Sequence, residues 1–202
     1  MIGPQDLDRL ENAIRDAEAR TAGEIVVVVA SQASGYRSVP LLYALLAALV
    51  VPWPLIWITV LGPARIFQIQ LLVALALAVL LSWPTRRYRL VPGFLKRARA
   101  HEAAAREFVA RGLTRTRDRT GVLIYVAAAE HYAEIMPDIG IADRVDSGVW
   151  RDAVTDLVEA LRAGEAAQGL VRTVERVGAV LAEHAPPRFD DRDELPSRVI
   201  LV

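Results

Sequence analysis

The sequence predicts an α/β fold: a small mixed sheet flanked by helices and interrupted by a two-helix transmembrane hairpin. Three observations predict it. The apolar runs Glu24-Ile-Val-Val-Val-Val-Ala30 and Val122-Leu-Ile-Tyr-Val-Ala127 each follow a helical pattern and an Arg-Thr-(Ala)-Gly turn. Between them lie two long uncharged stretches, one from Arg37 to Arg65 and one from Ile66 to Thr85. Helix, turn and strand thus occur twice, a weak internal repeat that implies two parallel strands joined by a right-handed crossover. The crossover contains the uncharged stretches.

At 202 residues the chain fits one domain, or one domain plus a membrane element. Hydrophobic residues make up 53% beside 24% charged residues, so apolar side chains must be concentrated in one region. Lys+Arg and Asp+Glu balance at 24 each, and no basic stripe interleaved with aromatics is present, so no nucleic-acid partner is expected. The absence of cysteine excludes disulfides, thiolate metal sites, Fe–S clusters and a Cys nucleophile. Residues 5–20 are charged throughout, so no secretory leader is expected at this start.

The first helix is expected from about Pro4 to Arg20, with Leu7, Leu10, Ile14 and Ala17 on one face and Pro4 in its first turn. The break Thr21-Ala22-Gly23 leads into the first strand, whose continuous β-branched character predicts burial on both faces. Residues 1–37 form this first part of the soluble domain.

Residues 38–85 form the hairpin, with spans at about 39–61 and 66–83. A helix needs about 20 apolar residues to cross a hydrocarbon core of about 30 Å, and both runs suffice. Pro52 and Pro54 should kink the first span. Trp83 and Tyr88 fit an interfacial belt, whereas Trp53 lies too deep and is expected to pack. The competing reading, a helical hairpin buried in a soluble core, fails because nothing else in the chain is large enough to cover it. The connector Gly62-Pro63-Ala64-Arg65 carries one positive charge, while Arg37 precedes the first span and Arg86, Arg87, Arg89, Lys96, Arg97 and Arg99 follow the second. The positive-inside rule therefore puts both soluble parts and both termini in the cytoplasm, with two spans in the bacterial inner membrane. The same basic cluster should attract anionic lipid headgroups of the bilayer. The spans carry no charge, which argues against a transport path; Gln68 and Gln70 belong near the outer end of the second span.

Residues 86–202 complete the domain. A helix is expected from about Arg97 to Arg111 or Leu113, with Phe108 and Val109 inward, before the second strand. A third strand, about His131 to Met136, follows after so short a link that it should pair antiparallel. Two amphipathic helices come next. One runs from about Gly148 to Arg162, with Ser147 as N-cap and Trp150, Val154, Leu157 and Leu161 inward. The other runs from about Ala166 to His184 and is stopped by Pro186-Pro187. The end Ser197-Arg-Val-Ile-Leu-Val202 can add an edge strand. Since Ser31 to Ser38 reaches at most about 27 Å, the C-terminal edge of the first strand is expected near the bilayer. The antiparallel third strand then brings loop 137–147 to loop 118–121 at the opposite edge.

In order, Thr21-Ala-Gly-Glu-Ile-Val-Val-Val-Val, Thr120-Gly-Val-Leu-Ile-Tyr-Val, the strand and glycine turn His131 to Ile141, and the helix pair starting at Trp150 resemble the TPM domain. The hairpin after the first strand and the Pro-Pro…Asp-Asp-Arg-Asp-Glu-Leu-Pro tail are similar to a bacterial membrane subgroup, and the likeness runs through essentially the whole chain. The resemblance implies a TPM-like α/β sandwich, with divalent-metal binding and weak acid phosphatase activity in some members and accessory or assembly roles in others. Soluble members carry Asp-Asn-Gly before the second strand and Gly-Tyr-Gly-Leu-Glu after the third. Here these read Arg119-Thr120-Gly121 and Asp138-Ile139-Gly140-Ile141-Ala142. Arginine replaces the first acidic residue and alanine the Glu, at the positions that would carry the chemistry.

The best residual metal site is Asp138, Asp143 and Asp146, joined by Asp118, on the two converging loops. Carboxylates suit a hard ion such as Ca²⁺ or Mg²⁺, although the resemblance demands no cofactor of this chain. The alternative is ordinary loop and cap aspartates. The acidic turn Asp190, Asp191, Asp193 and Glu194 lacks a central glycine and makes a poor calcium loop. His101-Glu102 lacks the second His of H-E-x-x-H and reads as a helix-surface pair, and neither Gly-x-Ser-x-Gly nor a phosphate-cradling loop is present. The preferred expectation is a non-catalytic binding, assembly or accessory module with an unidentified membrane or cytoplasmic protein partner. The alternative is a weak divalent-metal-dependent acid phosphatase.

Overall fold

The structure is a computed structural model and describes residues 3–36, 38–83, 88, 90–188, 195–196 and 198–202. The chain divides into two compact units, Met1–Ala33 with Arg97–Val202, and Ser34–Lys96.

The first unit is built on a four-stranded sheet in the order β3-β2-β1-β4. Strand β1 (Ile25–Ala30) lies between β2 (Val122–Ala127) and β4 (Val199–Leu201) and pairs parallel to both. Strand β3 (Tyr132–Pro137) pairs antiparallel to β2, as its short link requires. The burial explains the composition of β1: alternate residues enter two different cores. Ile25, Val27, Ile124 and Val126 face α1 (Pro4–Glu18), α7 (Ser147–Arg162) and α8 (Ala166–His184). Val26, Val28, Leu123 and Tyr125 face α5 (Gly93–Ala110). Each fully buried Val or Ile of this kind is worth about 1.5–3 kcal/mol of apolar transfer. A polar side chain at either parity of β1 would therefore strike a core.

Helix α1 presents Leu10, Ile14 and Ala17 inward. It packs on α8 closely enough that a Cβ on Gly178 would stand 2.6 Å from the Ala17 Cβ. Helix α5 buries Ala100, Ala103 and Ala104, small residues that let its backbone approach the sheet, together with Phe108. Val109, expected inward, is 63% exposed. Inward positions recur at three and four residues, and Val109 stands one step beyond Phe108, about 100° round the helix. Helix α7 starts one residue earlier than expected, because Asp146 and not Ser147 is the N-cap.

In the second unit, α2 (Ser38–Val50) packs against α4 (Pro63–Leu81). Its inward residues are Val39, Pro40, Ala44 and Ala48. The first run breaks at Val51, and α3 (Pro52–Ile58) continues it from Pro52. A proline there supplies no N–H to the preceding turn, which is the expected cause of the interruption. Two apolar helical stretches, Ser38–Ile58 and Pro63–Leu81, are long enough to cross a membrane. Their apolar side chains point outward: Leu72, Trp57 and Val79 are all exposed. Trp53, expected to pack, is 69% exposed. Tyr88 instead packs edge-on against Tyr36, with ring centroids 5.8 Å apart.

Candidate functional site

Strand β3 runs back along β2, so its end meets the loop that starts β2. The Asp138 N–H donates to the Gly121 carbonyl at 2.8 Å, and the Gly140 N–H to the Arg119 carbonyl at 2.9 Å. Glycine is required at 140 by this approach, since a Cβ there would lie 2.1 Å from the Asp118 carbonyl oxygen. Arg119 takes a left-handed φ of 58°, unusual for a residue with a Cβ. That conformation accompanies a guanidinium placed on Asp138. Arg119 Nε donates to Asp138 Oδ2 at 2.6 Å and Nη2 to Oδ1 at 2.8 Å. Asp138 Oδ1 also accepts the Ile139 N–H at 2.7 Å, which caps the short helix α6 (Ile139–Ala142).

Asp138 is 4% exposed. Burial pushes its carboxyl upward, but the hydrogen bonds from Arg119 and the Ile139 N–H, with the guanidinium charge, hold it below the ordinary carboxylate value. The Arg119 guanidinium is held protonated more firmly than usual, chiefly through its bond to Asp138. Both carboxylate oxygens are therefore engaged by a fork that matches them geometrically.

The other expected ligands are distributed differently. Asp118 forms an ion pair with Arg188. Asp146 Oδ1 accepts the Gly148 N–H at 2.6 Å as the cap of α7. Asp143 closes α6 at its C-terminal end and is exposed. Among the described residues no three His, Cys, Asp or Glu side chains come together to hold a metal ion. The loops do converge as the strand order requires, but the four aspartates do not gather around a common point. Of the basic cluster, Arg97 and Arg99 are exposed and Lys96 is half-buried on α5. Arg99 pairs with Glu102 at 2.8 Å. Arg86, Arg87 and Arg89 lie outside the described residues, as do Arg37 and the acidic turn Asp190, Asp191, Asp193 and Glu194.

The twin turns have a structural role. Thr21 Oγ1 donates to the Ala185 carbonyl at 2.6 Å, and Thr120 Oγ1 to the Ala22 carbonyl at 3.1 Å. Each repeat's threonine thus ties its turn to another segment.

Sequence reasoning missed two contacts. The first is the Arg119 fork on Asp138. The second joins α5 to β3: His101 Nδ1 lies 2.9 Å from Glu134 Oε1, and the Tyr132 hydroxyl donates to Glu134 Oε2 at 2.8 Å. His101 is not paired with Glu102 as expected, because adjacent helical residues do not face each other. The signal available was Glu134 at the same strand parity as Tyr132, on the face that α5 covers. Burial, then the bond to Glu134, raises the Tyr132 hydroxyl well above its ordinary value.

Comparison with known proteins places this geometry. The TPM domain family matches residues 90–180, from just before α5 into α8, so α1, β1 and the hairpin lie outside the matched stretch. The fold is similar to that of the BA42 protein from the psychrophilic bacterium Bizionia argentinensis. The identity is 22% and the TM-score 0.63, over 100% of this chain and 96% of that one. No curated protein matches the chain.

Proposed function

We propose, proceeding from a chain that matches the TPM domain over residues 90–180, that this protein is a membrane-anchored, non-catalytic binding, assembly or accessory module. The hairpin is its anchor in the bacterial inner membrane, with both termini in the cytoplasm. The exposed apolar sides of α2, α3 and α4 support the anchor, since exposed apolar patches of this extent are rare on soluble monomers. The basic residues around Lys96, Arg97 and Arg99 fit anionic headgroups at the inner face. The partner is a membrane or cytoplasmic protein, to be identified by affinity capture from native membranes.

The observation that carries the non-catalytic reading is the Arg119 fork on Asp138. It occupies both oxygens of the carboxylate that a metal ion at these loops would take as a ligand. The test is hydrolysis of a generic phosphomonoester by the full chain and by Asp138→Ala, with and without Mg²⁺ or Ca²⁺. The expected result is no turnover above buffer in any arm. Metal-dependent turnover that is lost in Asp138→Ala overturns the reading in favour of a weak phosphatase. Reporter fusions at residue 63 and at the C-terminus test the sidedness and should report opposite sides.

A further inference from the structure

We propose that the first turn of α5 is a further point of lipid contact, with Phe94 lying in the headgroup boundary of the membrane. The inference rests on the membrane reading of the hairpin and adds to it a residue outside the apolar helices. It starts from a small collar in the second unit. Tyr36, Val39 and Val91 are buried against one another, and Tyr88 and Leu95 pack on them. Val39 lies in the first turn of α2, where the longer apolar stretch begins. Leu95 lies in the first turn of α5, which the Leu95 and Lys96 N–H groups close by donating to the Pro92 carbonyl at 3.0 and 3.2 Å. Residues up to Lys96 belong to the same compact unit as the hairpin helices. The collar therefore holds the start of α5 at the level where α2 starts.

Adjacent helical residues point about 100° apart. With Leu95 turned into the collar, Phe94 is turned away from it and is 71% exposed. A lone exposed apolar residue means little on a surface that faces water. This one stands at the level of Val39, and α2 exposes Leu41 and Leu42 directly beyond that residue. Phe94 thus continues the outward apolar surface of the hairpin onto a helix that belongs to the soluble fold.

The occupant follows from that continuity. Whatever covers Leu41 and Leu42 also reaches the turn that carries Phe94, and for an inserted hairpin it is phospholipid. An aromatic ring with a cation close by in the chain suits the boundary between headgroup and acyl chain. Lys96, two residues further on, brings that cation.

The chain has no cysteine, so a single one can be labelled cleanly. The full chain with Phe94→Cys, Leu41→Cys or Thr155→Cys is labelled with a nitrobenzoxadiazole dye and reconstituted into liposomes of phosphatidylcholine and phosphatidylglycerol. Leu41 on α2 is 54% exposed, and Thr155 is exposed on the charged side of α7. A matching preparation contains phosphatidylcholine with a nitroxide near the head of its acyl chain, which quenches the dye on contact. A side chain of this kind lies about 5–10 Å into the headgroup and acyl boundary, so quenching at residue 94 should match residue 41 and exceed residue 155 by about threefold or more. The same dye at residue 155 measures any affinity of the label itself for lipid, and none of the three substitutions opens a core. Quenching at 94 close to that at 155, while 41 is quenched, overturns the proposal and leaves the anchor standing. If 41 is quenched no more than 155, the hairpin is not in the bilayer and both readings fall.

Discussion

Replacing Asp138 by alanine removes one carboxylate that does two things at once, and its effect can be worked from the contacts. The Ile139 N–H loses its cap at 2.7 Å, and loss of an Asp cap costs about 1 kcal/mol. The charge-assisted bonds from Arg119 add to this, but that side chain is 48% exposed, so water recovers much of their worth. The expected total at neutral pH is about 1–2 kcal/mol, a fall in Tm of roughly 3–6 °C for a chain of this size. The sign with pH follows from the direction of the shift. The Asp138 carboxyl is held below its ordinary value, so it contributes stability that is full above the unfolded pKa of about 3.9 and is lost as pH falls through the folded value. Thermal unfolding of wild type and Asp138→Ala in detergent, followed by circular dichroism, should show a constant gap from about pH 5 to 8 that narrows below about pH 4. A gap that widens on acidification, or no gap at neutral pH, refutes the reasoning.

Three further outcomes are expected. Gly140→Ala forces a Cβ to within 2.1 Å of the Asp118 carbonyl oxygen; chemical denaturation should show a loss of about 3 kcal/mol, the upper end for overpacking. Thr120→Val leaves the Ala22 carbonyl without its buried hydroxyl donor and should cost about 1–2 kcal/mol, measured the same way. Tyr125 is pushed up to about 12 by burial and then by the charge of Glu130. Its phenolate should appear in ultraviolet titration well above the pH of about 10 at which a free tyrosine ionises, and stability should decline as pH rises above about 10, because the unfolded chain releases that proton first.

The elements were legible wherever a pattern repeated over several residues. The Val-rich β1 declared burial on both faces, the short link fixed β3 as antiparallel, and α8 ended where Pro186-Pro187 required. Val199–Leu201 became an edge strand as its apolar character suggested. What failed depended on one residue's conformation or on a distant partner. Arg119 gives no sequence sign of a left-handed φ, a region that glycine or asparagine would have announced. Without that turn its guanidinium could not be placed on Asp138, and the loop aspartates read as a cluster awaiting an ion. Asp146 and Ser147 are both competent caps, and one residue decided between them. For Trp53 the expectation assumed a neighbour in the chain; α3 offers none, and the indole faces outward.

The position of β1 between β2 and β4 has a consequence for biosynthesis. Both of its hydrogen-bonding neighbours are encoded downstream of the hairpin, so when β1 leaves the ribosome it has nothing to pair with. The uncharged helices emerge next, and only then do the segments that can cover its two edges. A run of consecutive valines must therefore wait, unpaired, until the segments beyond the hairpin are made. On the proposed membrane reading, partitioning of the hairpin precedes closure of the sheet, and a delay in the first step lengthens the exposure of an unpaired apolar strand in the second.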